Sequence, residues 1–147
     1  MTKDVLDYFK IICSIPHPSG HEELLGNYIE EFAQTHELNY ERNEIGDIII
    51  YKEASEGYEA HAPILLQGHM DMVAEKDVDS NHNFLTDPLQ IYEEEGYLHA
   101  TKTTLGADDG VAVAIMLALL SDDNFKYPRL NAYLLSRKKR LWMVSLM

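Results

Sequence analysis

"APILLQGHMDMV", residues 62–73, is an apolar run whose polar side chains arrive only at its end. An unbroken aliphatic segment of this length, preceded by proline, reads as a buried strand. Working outward, "NEIGDIIIYK" (43–52) reads as a turn feeding a second strand, because β-branched residues run from Ile48 to Ile50. Upstream, Val5, Leu6, Phe9 and Ile12 recur at helical spacing and predict an amphipathic helix from Thr2 to Ile12, ended by Pro16 and Pro18. Ser19, with Glu22 three places on, is expected to cap a second helix. Leu24, Leu25, Tyr28, Ile29 and Phe32 give that helix its stripe, to about His36. Downstream, residues 77–88 are polar and loop-like, and "IYEEEGYLHA" (91–100) suits a surface hairpin. "LGADDGVAVAIMLALL" (105–120) passes from a glycine-rich turn into an apolar helix. Strands alternating with helices predict an α/β sandwich.

The bulk numbers exclude several functions. A chain of 147 residues makes one domain, and its net charge of −13 disfavours nucleic acid or an anionic membrane surface as the main partner. The longest apolar run, residues 111–120, is too short to cross a bilayer, and the N-terminus has no secretory h-region. A cytoplasmic location is the expectation. The single cysteine, Cys13, cannot form an intrachain disulfide, and within "KIICSI" it reads as a small buried hydrophobe.

Two stretches carry chemistry. In "QGHMDMV", His69 and Asp71 stand two apart, so on an extended segment they point to the same side. His69 could ligate a metal while Asp71 orients its ring; equally, both could simply face solvent at a strand end. In "GADDG", Asp108 and Asp109 lie between glycines directly before an apolar helix. A divalent ion would offset the repulsion between them, whereas the plainer reading is a capping pair at the helix start. Neither stretch is a complete site, because zinc takes three or four protein ligands.

Taken together and in order, "PHPSGHEE" (16–23), "LLQGHMDMV" (65–73) and "TTLGADDGVAVA" (103–114) resemble the bacterial aminoacyl-histidine dipeptidases. The resemblance covers residues 1–128. It implies a partial zinc-peptidase catalytic domain with a mixed sheet flanked by helices, holding two zinc ions, with manganese or cobalt as alternatives. It further implies that His69 ligates one ion, that Asp108 bridges both, that Asp71 is a catalytic-site residue holding His69, and that the Asp108–Asp109 peptide is cis. His17, His21 and Asp109 receive no metal role. The implied substrates are dipeptides with a free amino terminus, Xaa-His and carnosine-like ones included; the intact enzyme is expected to be a homodimer. Water activated between the ions would attack the peptide carbonyl after a Glu takes its proton. One departure is Asp47, where the family usually carries Asn.

That Glu, and a neighbouring Glu ligand, belong about 30 residues after Asp108. Here the chain has "LLSRKKR" (134–140), with Arg137, Lys138 and Lys139 where acids are needed. All 25 acidic residues lie at or before Asp123, while five of the 12 Lys and Arg lie from Arg129 to Arg140. One allowed coding of residues 128–147, shifted by two bases, reads Pro-Leu-Glu-Cys-Leu-Phe-Thr-Val-Glu-Glu-Glu-Thr-Ala-Met-Asp-Gly, which restores the acidic motif. The codon choice is free at the Glu positions, but Trp142, Met143 and Val144 force the Asp-Gly. Residues 129–147 are therefore expected to be a frameshifted tail on an inactive fragment, not a basic recognition arm. The other reading is a small non-catalytic metal-binding or interaction domain. Sequencing the gene beyond the codon for Pro128 should reveal a shifted frame open for hundreds of codons; stops soon after in every frame would sink this reading.

Overall fold

The computed structural model describes residues 3–137. Helix α1 (Val5–Ser14) starts later than the spacing predicts, and the expected first residue, Thr2, lies outside the described residues. Asp4 sets the start: its carboxylate accepts the Asp7 N–H while the Asp7 carboxylate accepts the Asp4 N–H. Helix α2 (Glu23–Thr35) buries Leu25, Ile29 and Phe32 and leaves Leu24 exposed. Ser19 does not cap it. The N-cap is Glu22, without a side-chain cap bond, and the Ser19 hydroxyl is directed at Asp71 instead.

Strands β1 (Asn39–Arg42), β2 (Ile48–Lys52) and β3 (Ile64–His69) follow, then the hairpin β4 (Ile91–Glu94) and β5 (Tyr97–Ala100). Glu95 and Gly96 at its turn both have positive φ, the two-residue geometry that matches strand twist. Strand β1 was not legible in the sequence, because "NYER" has no apolar alternation; it exists by pairing with β2. Helix α3 (Ala107–Ser121) then crosses over to β6 (Leu130–Leu135).

The main sheet has the order β1-β2-β6-β3, antiparallel except for the parallel β3–β6 pair. It is thus a mixed α/β sheet flanked by helices. Ile48, Ile50, Ala132 and Leu134 share one core with Phe9 and Ile12 of α1, Leu25 and Ile29 of α2, and Val113 and Leu117 of α3. The buried Lys52 ammonium donates to the carbonyls of Leu119 and Asp122 and fastens the C-terminal end of α3 to β2. None of the helices among the described residues is long and apolar enough to cross a membrane.

One further expectation needs correction. The apolar run of β3 is not fully buried: it is an edge strand among the described residues, with Ile64 and Leu65 45% and 61% exposed. Helix α3 covers its other end, where Gly68 faces Met116 and Ala112. Part of the stretch expected to be a frameshifted tail lies within the fold, where Leu130–Leu135 form a central strand between β2 and β3. Their alternation supplies the inward face that a strand requires, with Leu130, Ala132 and Leu134 buried. Lys138, Lys139 and the rest of residues 138–147 lie outside the described residues.

Cys13 is 2% exposed, and burial pushes its thiol up to about 12. At pH 8 the native chain should therefore react with a thiol reagent at least about a hundredfold more slowly than the denatured chain. Equal rates would show that α1 is not packed as described.

Candidate metal centre

The site lies where the end of β3 meets the start of α3. Strand pairing continues past His69 through the Met70 N–H, which donates to the Leu135 carbonyl at 2.8 Å. This fixes the backbone on both sides of the His69 ring. The ring nitrogen Nδ1 lies 2.9 Å from Asp71 Oδ1 and 3.1 Å from the Asp71 carbonyl. Both neighbours accept only, so Nδ1 carries a proton and donates.

The start of α3 is irregular. Gly106 is left-handed (φ 77°) and has no side-chain cap bond; Asp108 and Asp109 depart from helical φ/ψ, and the peptide bond between them is cis. A Cβ at Gly106 would lie 3.0 Å from the Met72 sulfur, so this glycine lets α3 close onto the segment after β3. The two carboxylates diverge. Asp109 Oδ2 accepts the His69 N–H at 3.2 Å, and Asp108 Oδ1 stands 3.0 Å from His69 Nε2. The capping reading drawn from sequence gave Asp109 no such tie to β3.

The chemistry of the pair is constrained by its atoms. With Nδ1 protonated toward Asp71, a neutral His69 ring would present a lone pair at Nε2 to a carboxylate oxygen. Two acceptors at 3.0 Å require a positive centre, either a proton or a cation. Two ligands each about 2.0–2.1 Å from a tetrahedral zinc ion stand about 3.3 Å apart, so the spacing and donor types suit adjacent metal ligands. The fit is partial, because the described residues include no group of three or more His, Cys, Asp or Glu able to hold an ion.

His69, Asp71 and Asp108 thus come together. His17 does not join them: its ring is 3% exposed and Nδ1 donates to the Ile15 carbonyl at 2.6 Å. Burial is the main cause that lowers its pKa and keeps the ring neutral. His21 is exposed. Sequence reasoning missed two supporting groups. Ser19 donates its hydroxyl to Asp71 Oδ2 at 2.5 Å. Asp47, 2% exposed, accepts from the Ser136 N–H (2.8 Å), the Tyr133 hydroxyl (3.3 Å) and Asn43 Nδ2 (3.1 Å), fixing the chain just beyond β6. Ser19–Asp71 and the Asp47 contacts to Tyr133 and Ser136 span long sequence separations, and the departure at Asp47 was a local signal for the second.

No family model matches the chain. It is 44% identical over 128 residues to the cytosol non-specific dipeptidase of Escherichia coli K12, covering 87% of this chain and 26% of that protein. The crystal structure of aminoacylhistidine dipeptidase from Vibrio alginolyticus superposes with a TM-score of 0.89 at 37% identity, over 93% of this chain and 28% of that one. A Staphylococcus aureus tripeptidase shares the fold, with a TM-score of 0.70 at 18% identity over 91% of this chain and 36% of the other. The chain is therefore homologous to aminoacylhistidine-type dipeptidases, and spans little more than a quarter of the length of the E. coli and Vibrio relatives.

Proposed function

We propose that these residues form one half of the two-metal site of a cytoplasmic dipeptidase acting on dipeptides with a free amino terminus, Xaa-His and carnosine-like ones among them. The observation that carries the reading is the 3.0 Å approach of His69 Nε2 to Asp108 Oδ1, with Asp71 behind the ring. In this reading His69 would ligate one ion, and Asp108 would be the ligand shared by both. Zinc is the proposed ion, with manganese or cobalt as alternatives. Asp71 keeps Nδ1 protonated and so keeps the Nε2 lone pair available. When bound, such a metal pair supplies Lewis-acid polarisation of the peptide carbonyl and a water acidic enough to attack it near neutral pH.

The remaining acids are proposed to belong just after β6. The pairing of Leu135 with His69 supports that location, because side chains following Leu135 stand at the same end of the sheet. In this chain Ser136 and Arg137 follow, and the Arg137 Nε lies 3.9 Å from the Glu22 carboxylate. A guanidinium can neither take a proton from water nor ligate a cation at neutral pH. The 147-residue chain is therefore proposed to be inactive, and the frame-restored, full-length enzyme active and homodimeric.

The test uses both proteins. The frame-restored enzyme should hydrolyse a histidine-containing dipeptide and hold two zinc ions by elemental analysis, while the 147-residue chain should bind zinc weakly without turnover. Asp108→Ala in the enzyme should abolish turnover and lower the zinc content, and Asp109→Ala should retain more of both. Asp71→Ala should weaken zinc binding by about 10–100-fold. Two zinc ions retained in Asp108→Ala would defeat the bridging assignment, and metal-dependent turnover by the 147-residue chain would defeat the missing-acid reading.

A further inference from the structure

We infer that Ser19 is a positioning residue for this centre: its hydroxyl takes one oxygen of Asp71 and thereby commits the other to His69. The inference deepens the dipeptidase reading and rests on it for its metal consequence. Asp71 is 7% exposed, so its carboxylate needs partners within the protein. The structure divides its oxygens, with Oδ2 accepting from Ser19 Oγ at 2.5 Å and Oδ1 facing His69 Nδ1 at 2.9 Å. The Ser19 hydroxyl also lies 3.2 Å from the Met72 carbonyl, but a single proton favours the shorter contact to a charged oxygen. With Ser19 in place, turning the carboxylate would break two hydrogen bonds at once.

Ser19 is held for this task by backbone, not by its own side chain. Its N–H donates to the Met72 carbonyl at 3.0 Å, the Met72 N–H donates to the His17 carbonyl at 3.1 Å, and Pro18 bridges to Met72 in parallel. The buried His17 ring anchors the loop through the Ile15 carbonyl. Removing the hydroxyl therefore leaves the loop attached and frees only the Asp71 carboxylate. This gives the "PHPSG" stretch a role that cap formation at α2 does not. It presents one hydroxyl to the far side of the carboxylate that orients the candidate ligand.

The experiment compares the 147-residue chain with Ser19→Ala and Ser19→Thr. In the metal-free protein, the His69 Nδ1–H signal should be resolved by NMR. In Ser19→Ala it should exchange with solvent about tenfold faster or broaden away. Ser19→Thr, which keeps the hydroxyl, should restore it. Thermal melts should show all three folded, which separates positioning from general destabilisation. With zinc as the probe in a chelator competition, Ser19→Ala should lose about 10–100-fold in affinity and Ser19→Thr should recover it. An unchanged Nδ1–H signal in Ser19→Ala would overturn the inference, whatever the zinc result. If the parent chain binds zinc no better than His69→Ala while the Nδ1–H signal still responds to Ser19, the metal reading falls and the positioning role stands.

Discussion

The arrangement depends on one contact between elements far apart in sequence: the His69 N–H donates to the Asp109 carboxylate. That bond can form only if the start of α3 lies against the end of β3. Gly68 makes the approach possible, because a Cβ there would stand 3.0 Å from Asp109 Oδ2 and 2.9 Å from the Met116 methyl. Once Asp109 is tied to the strand, the neighbouring Asp108 is placed opposite the imidazole. The two acids of one dipeptide thus divide the labour. One ties its carboxylate to the strand backbone, and the other faces the ring nitrogen on which metal chemistry would depend.

Support for the ring comes from three directions, each a separate element. Strand β6 holds the backbone through Met70, the loop before α2 holds Asp71 through Ser19, and α3 supplies both acids. Such convergence is what an orienting shell needs, since a ligand held by packing and hydrogen bonds keeps its geometry without the ion. It also accounts for the buried His17. A neutral imidazole can lie in the core as a strut, provided its one N–H finds a carbonyl, and Ile15 provides it.

Legibility in the sequence followed the range of the interactions. The three helices and the β2 and β3 strands were legible because periodicity is local: Phe9 with Ile12, or Ile48 with Ile50, reports a buried face without knowledge of what covers it. His69 and Asp71 were legible as a pair for the same reason, being two apart on extended chain. The α1 start was misjudged because Asp4 and Asp7 compete with the apolar spacing for the boundary. Ser19 was misjudged because its spacing to Glu22 fits a capping box while its actual partner is 52 residues away. The exposed half of β3 was misjudged because an apolar run reports only a preference for burial, and strand order decides whether burial occurs.

Strand β6 separates what the sheet requires from what the proposed metal site would require. What the sheet requires at this position is alternation, and Leu130, Ala132 and Leu134 provide the inward set while Asn131 and Tyr133 face the other side. The alternative decoding, Leu-Glu-Cys-Leu-Phe-Thr-Val, is also rich in strand-forming residues, so either reading can fill the place between β2 and β3. The constraint changes abruptly at the strand's end. Beyond Leu135 the backbone is still positioned, with the Ser136 N–H held by Asp47, but side-chain identity now decides the chemistry. Carboxylates there would face the candidate ligands with groups able to hold a cation or take a proton. Arg137 brings a positive charge and can do neither. Packing accepts either sequence because it tests shape and polarity pattern; in the proposed reading catalysis would not, because it would test the sign of a charge at one position.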